Sequence, residues 1–106
     1  MRSYKLRTAG ETMMNVAEKL AQKGETVHLN RTFNSVLGET IDGVGKFRPD
    51  ALSIGKDGVI SITEVLSPSQ TLRYMEKKVE LMTKKLEKAG HKVKFQILSE
   101  TGEKLK

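Results

Sequence analysis

Two carboxylates, Asp50 and Glu64, stand where acids are unusual. Asp50 follows Pro49, and Glu64 lies fourteen residues later within an alternating run over residues 59–66. Because side chains alternate between the faces of a strand, Glu64 shares its face with three aliphatic side chains. A carboxylate there takes up a proton or finds a partner, which can be a lysine, backbone donors or a cation. The simpler alternative is that Glu64, near the strand end, reaches water.

A hairpin brings the two acids together. Residues 55–58, Gly-Lys-Asp-Gly, suit a tight turn. Centring the hairpin there puts Asp50 opposite Thr63 and next to Glu64, and a bulge or small register change would align the two acids. Adjacent strands lie about 4.8 Å apart, so two such carboxylates can share one Mg²⁺, which prefers hard oxygen ligands. The hairpin therefore predicts a two-carboxylate magnesium site.

The elements that must position this pair follow an α/β pattern. Apolar residues recur at helical spacing in residues 11–23 and about 69–89, and Ser67 or Ser69 suits the cap of the second helix. Alternation predicts four strands, at residues 25–30, 47–54, 59–66 and 92–99. Residues 31–46 are predicted to form a loop, with a ragged strand within it as the alternative, and residues 101–106 are predicted to form a frayed tail.

This order of elements predicts a small mixed β-sheet flanked by helices. The second hairpin strand, the long helix and the last strand suit a right-handed parallel crossover. The chain has 106 residues, which fits a single domain over residues 1–106.

Composition excludes several classes of protein. The chain has no cysteine and two histidines, which rules out disulfides and thiolate sites and argues against zinc. No apolar run approaches the roughly 18 residues that span a bilayer, so we expect no membrane segment. No histidine is placed to activate a serine, which argues against serine hydrolysis.

The charge favours an anionic partner. The formal net charge is +6 and the sequence pI about 9.7, a balance that suits nucleic acid, acidic lipid or an acidic protein. Between Arg73 and Lys94 there are eight basic residues against three acids. For these residues alone, a solvated helix face is the simpler interpretation.

One pattern resembles the PD-(D/E)XK nuclease superfamily. It consists of Pro49-Asp50, then Glu64 in an apolar strand, and then a helix. The resemblance covers roughly residues 11–98 in element order. It implies a restriction-endonuclease-like α-β-β-β-α-β core in which the two acids bind a divalent metal and phosphodiester bonds are hydrolysed. A glutamate of the first helix often adds a ligand in that superfamily, which assigns Glu18 to the metal, with Glu11 second.

One position departs from the superfamily pattern. Leu66 stands where the acid-x-Lys triplet has its lysine, which some branches supply from the following helix. Residues 64–71, EVLSPSQT, resemble the Glu-x-x-Ser-x-x-Gln variant of nuclease domains in bacterial polymorphic and contact-dependent inhibition toxins. That resemblance implies that Ser67 and Gln70 line the site and that Gln70 orients a water.

Basic side chains near the acids are the candidate substrate contacts. Arg73 and Lys77 follow Gln70 on nearly the same helix face, so they are expected to hold the scissile phosphate, with Lys77 also in the catalytic set. Arg48 and Lys78 complete the substrate contacts, and the N-terminus of the long helix favours phosphate. Glu39 or Asp42, in the loop predicted over residues 31–46, is also expected to approach the metal.

These observations favour a metal-dependent endonuclease that uses Mg²⁺. The toxin resemblance implies a C-terminal module of a larger secreted protein that acts in the cytoplasm, cuts RNA (tRNA first, DNA second) and is neutralised by an acidic immunity protein. A catalytically silent nucleic-acid-binding domain of the same fold is the alternative. A basic protein–protein module is a third possibility.

Overall fold

The computed structural model describes residues 9–38, 40–41, 43–44, 47–67 and 69–106. In chain order the elements are α1 (Ala9–Gln22), β1 (Thr26–Leu29), α2 (Phe33–Leu37), β2 (Ala51–Ile54), β3 (Ile60–Val65), α3 (Leu72–Lys88) and β4 (Val93–Leu98). None of the helices in this described part is long and apolar enough to cross a membrane.

The four strands form one mixed sheet in the order β1-β2-β3-β4. β1 pairs with β2 and β2 with β3 in antiparallel fashion, whereas β3 and β4 are parallel. A parallel pair needs a crossover, and α3 supplies it. The predicted α/β class, with a small mixed sheet and flanking helices, is confirmed.

The hydrophobic core lies between α3 and one face of the sheet. Helix α3 begins at Thr71, whose side chain accepts a hydrogen bond from the Tyr74 N–H, so Thr71 is the cap rather than Ser67 or Ser69. Its inward stripe is fully buried and packs against the aliphatic residues of the strands. The buried set comprises Met75, Val79, Met82 and Leu86 of α3 with Leu52, Ile60, Ile62 and Ile97 of the sheet.

A short helix replaces part of the predicted loop over residues 31–46. Thr32 caps α2 by accepting a hydrogen bond from the Ser35 N–H at 3.2 Å, and Gly38 ends it in the left-handed conformation with φ of 70°. Phe33 is fully buried in the core. The prediction failed here because five residues are too few to show a helical period. The strand predicted over 47–54 also begins later, at Ala51.

Helix α1 lies over β1, β2 and β3 on the face opposite α3. Its Leu20 lines one groove with Ser61, Thr63 and Gln96, which alternate with the core-facing residues of β3 and β4. Thr12 of α1 is buried and donates a hydrogen bond to the Glu100 carbonyl. The two helices therefore flank the sheet on opposite faces.

The C-terminal residues return along β4 instead of fraying. Lys104 forms an antiparallel bridge with Leu98, and the Leu105 N–H donates to the Ile97 carbonyl at 2.8 Å. The chain reverses at Gly102, whose φ is 96°. An edge strand offers unpaired backbone groups, and this return satisfies part of that edge, which is why the predicted frayed tail is wrong.

Candidate metal centre

Asp50 and Glu64 lie side by side on the α3 face of the sheet. β2 and β3 pair Ala51 with Thr63 and Leu52 with Ile62, so the next position along the ladder places Asp50 opposite Glu64. The register differs by one residue from the pairing of Asp50 with Thr63 that the turn predicts. Because a one-residue change moves a side chain to the other face, this register puts both acids toward α3.

Backbone hydrogen bonds hold the two carboxylates in a reciprocal arrangement. The Asp50 N–H donates to Oε1 of Glu64 at 3.1 Å, and the Val65 N–H donates to Oδ2 of Asp50 at 2.8 Å. Each acid is thus fixed by the backbone of the other strand. The Asp50 carbonyl also accepts from the Asn30 N–H at 3.1 Å, which ties the pair to the end of β1. Two carboxylates fixed side by side in this way could coordinate one cation.

Lys78 of α3 is the positive charge at this pair. Its Nζ lies 3.5 Å from Oε2 of Glu64, and its side chain is 27% exposed whereas that of Glu64 is 2% exposed. Lys78 stands three residues after Met75 and four before Met82, so it belongs to the inward stripe of the helix. A lysine from the following helix therefore meets the acid of β3.

Burial is the main cause of a raised pKa at Glu64. Desolvation of the carboxyl raises the pKa, and the neighbouring Asp50 charge raises it further, whereas Lys78 and the Asp50 N–H oppose the shift. A negative charge on Glu64 is therefore costly, first because the carboxyl is buried and then because Asp50 lies beside it. A divalent cation between the carboxylates would favour the ionised form of both.

The donor set suits a cation that keeps part of its hydration shell. Mg²⁺ is commonly held by one or two carboxylates together with waters and substrate phosphates, and Asp50 with Glu64 provides such a pair. Within the described ranges, no group of three or more acidic or histidine side chains could hold a metal ion. Glu18 is exposed on α1, across the sheet from the pair. Glu39 and Asp42 lie outside the described residues.

Ser67 and Gln70 are bound to each other in the segment between β3 and α3. The Ser67 N–H donates to Oε1 of Gln70 at 3.1 Å, and the hydroxyls of Ser67 and Ser69 lie 3.2 Å apart. This segment follows β3 directly, so both residues are close to the acids in sequence. The structure uses their polar atoms in a local turn rather than at the two carboxylates.

The basic residues predicted to contact the substrate differ in their exposure to solvent. Arg48, Arg73 and Lys77 are exposed. Lys77 lies two positions from both Met75 and Val79, which turns it away from the core and from Glu64. Of the two adjacent lysines it is Lys78 that reaches Glu64, and its spacing within the apolar stripe was the sequence signal for this placement.

Leu66 occupies the position of the motif lysine and packs against the hydrophobic core. It follows Glu64 by two residues and therefore shares its face. A lysine there would place an ammonium group against apolar side chains, whereas the Lys78 ammonium reaches Glu64 from above the sheet. In this chain the ammonium group beside Glu64 therefore comes from α3 and not from position 66 of the strand.

Comparison with protein-family models and with curated proteins gives no match for this chain. The resemblance to PD-(D/E)XK nucleases therefore depends on the quoted residues and on the arrangement of the elements.

Proposed function

We propose that this protein is a metal-dependent endonuclease that hydrolyses phosphodiester bonds at Asp50 and Glu64. The observation that carries the proposal is the paired carboxylates on neighbouring strands, held by reciprocal backbone hydrogen bonds and met by Lys78 from the next helix. The order α1-β1-β2-β3-α3-β4, with α2 inserted, supports a restriction-endonuclease-like core.

Each residue of the site has a distinct role in this proposal. Asp50 and Glu64 would hold the cation, which when bound polarises a phosphoryl oxygen and lowers the pKa of a coordinated water. Lys78 takes the part of the missing motif lysine by placing a positive charge where the phosphate gains negative charge in the transition state. Leu66 cannot take this role because its side chain is uncharged, and it packs against the core.

The proposed substrate is nucleic acid, with RNA (tRNA first) preferred to DNA. A net charge of +6 favours polyanions, and only five aromatic residues are present in the chain, so stacking on bases contributes little. Contacts to backbone and shape then dominate binding, and we expect a steep dependence on salt.

The biological setting that we propose follows from the EVLSPSQT segment alone. Its likeness to nuclease domains of polymorphic and contact-dependent inhibition toxins suggests a C-terminal module of a larger secreted protein that acts in the cytoplasm of a target cell. Such a toxin has an immunity partner, which we expect to be acidic enough to cover a basic surface.

A catalytically silent nucleic-acid-binding domain is the second candidate. The observation that favours it is Leu66, because the position that supplies the catalytic lysine in the superfamily is apolar here and packs against the core. In that case Lys78 is only the counter-charge of Glu64, and the pair stabilises the hairpin without doing chemistry.

Cleavage assays separate the two candidates. The wild type is incubated with total RNA, a tRNA pool and plasmid DNA, in Mg²⁺ and in EDTA. We expect Mg²⁺-dependent cleavage that falls to background in Asp50→Asn and in Glu64→Gln. The matched control is Glu80→Gln, which neutralises an exposed acid of α3 and should cleave as the wild type does. Cleavage that survives both site substitutions would contradict the proposal, and binding without cleavage would favour the silent domain.

A further inference from the structure

A basic groove lies on the sheet face opposite the candidate metal centre. Its central part, about 240 Å³, runs between the end of α1 and strands β3 and β4, and its polar floor includes Thr63 and Gln96. The Gln96 amide donates to the Thr63 hydroxyl at 3.1 Å, which fixes that floor. Five lysines surround the groove and its extensions, and we name them the lysine track: Lys19, Lys23, Lys56, Lys94 and Lys104.

The lysine track is continuous over three adjoining depressions. Lys23 lines all three of them, so it stands at the middle of the track. Lys104 lines the central part and the extension toward Lys19, and Lys94 lines the central part and the extension toward Lys56. A continuous row of cations suits a chain of phosphates better than a single small anion.

The charges of the track are not neutralised within the described part of the chain. All five lysines are exposed, and no described carboxylate forms an ion pair with them. Two acids, Glu25 and Asp57, line the extension toward Lys56, where they accept hydrogen bonds from the Ser53 hydroxyl at 2.8 Å and from the Val59 N–H at 3.1 Å. The lining therefore carries five lysines against two carboxylates and keeps a net positive charge. The positive potential of the track is therefore available to a ligand.

We propose that the lysine track binds the sugar–phosphate backbone of nucleic acid without regard to sequence. Protein–protein interfaces are enriched in aromatic residues and arginine and depleted in lysine, whereas the lining of this groove has five lysines and no arginine. Its one aromatic residue, Phe95, packs against the core, so base stacking is not offered. Lysine acts on phosphate as a point charge, which suits contact with a backbone.

This inference goes beyond the proposed function because the track and the acids lie on opposite faces of the sheet. Binding at the track needs neither a metal ion nor the carboxylates. It therefore persists in EDTA and in Asp50→Asn, where cleavage is absent. Failure of cleavage and failure of backbone binding are separate results.

The test measures binding of labelled single-stranded RNA by fluorescence anisotropy in EDTA over a range of salt concentrations. The groove variant is Lys23→Gln/Lys94→Gln/Lys104→Gln. The control variant is Lys84→Gln/Lys88→Gln/Lys92→Gln, which removes the same charge from exposed lysines at the end of α3 and after it. Circular dichroism checks that both variants fold.

We expect the groove variant to bind more weakly than the control variant at low salt, with a difference that shrinks as the salt concentration rises. Each lost phosphate contact on a single strand lowers the slope of log K against log salt by about 0.7, so the groove variant should lose about two units of slope. Equal losses in the two variants, or no binding by the wild type, would overturn the proposal. Tighter binding of polyglutamate than of RNA to the wild type would also overturn it, in favour of an acidic protein.

Discussion

The two faces of the sheet differ in chemistry although the same strands build them. Toward α3 the strands present Leu52, Ile60, Ile62 and Ile97, all fully buried, and among them stands Glu64 at 2% exposure. Toward α1 the strands present Ser53, Ser61, Thr63 and Gln96, with lysines along the groove margins.

The two faces use charged side chains differently, one as a buried carboxylate and the other as exposed lysines. On the face toward α3, burial and the neighbouring Asp50 charge raise the pKa of Glu64, so its ionised form is costly unless a positive charge lies beside it. On the face toward α1 most of the strand side chains are also buried, but the lysines at the groove margins are exposed, which suits weak, additive contacts to phosphates. A single alternating strand, β3, supplies residues to both uses because successive side chains point to opposite faces.

The largest expected loss of stability comes from a substitution in the core between α3 and the sheet. Phe33→Ala removes a fully buried ring from α2 and should lower the free energy of unfolding by about 3–5 kcal/mol. Urea denaturation measures the change. The control is Met14→Ala, at a side chain that is 53% exposed, where we expect less than about 0.5 kcal/mol. Similar effects of the two substitutions would contradict the placement of Phe33 in the buried core.

Lys78→Met tests whether the lysine of α3 takes part in catalysis. Loss of a preorganised charge at the transition state typically costs about 10²–10³-fold in rate, so we expect kcat to fall by that factor with a smaller change in KM. Lys78→Arg, which keeps the charge, should retain part of the activity. Lys84→Met, on an exposed lysine of the same helix, should leave kcat unchanged. An unchanged kcat in Lys78→Met would assign Lys78 a structural role only.

A smaller effect is expected in the pH dependence of stability without metal. Because the pKa of Glu64 is raised in the folded state, the folded chain holds a proton that the unfolded chain has released between the two pKa values. Stability therefore falls as pH rises through this window, by about 1.4 kcal/mol for each unit of pKa difference.

Thermal melts in EDTA across pH check this sign. Glu64→Gln removes the titrating group and should flatten the profile, whereas the exposed control Glu80→Gln should not. If the stability of the wild type rises with pH through this window, or if Glu64→Gln leaves the pH profile unchanged, the raised pKa of the buried Glu64 is contradicted.

Periodicity predicted the parts of the fold that are long and regular. The stripe of α3, with Val79 at its centre, and the alternation of β3 and β4 are strong local signals, and the hairpin placed Asp50 within one position of its partner. The short elements were missed because they carry little period. Thr32 and Gly38 were the available signals for α2, and residues 103–106 have no alternation that predicts their return along β4.

The candidate site was less accessible to sequence reasoning than the fold. Asp50 and Glu64 are linked by one hairpin, so their meeting follows from local pairing. The choice of Lys78 over Lys77 depends on the rotation of α3 about its axis, which only the packed stripe defines. The lysine track brings together residues as far apart in sequence as Lys19 and Lys104, and no local pattern predicts that they line one groove.

Metal-dependent stabilisation tests the central claim most directly. The melting temperature is measured with and without Mg²⁺ and Mn²⁺ for the wild type, Asp50→Asn, Glu64→Gln and the control Glu80→Gln. A ligand that binds only the folded state adds about 2.7 kcal/mol of stability at one hundred times its Kd. We predict a rise of the melting temperature in the wild type and in Glu80→Gln that is lost in both site variants. The same rise in all four proteins, or a rise in none, would contradict a metal centre at Asp50 and Glu64.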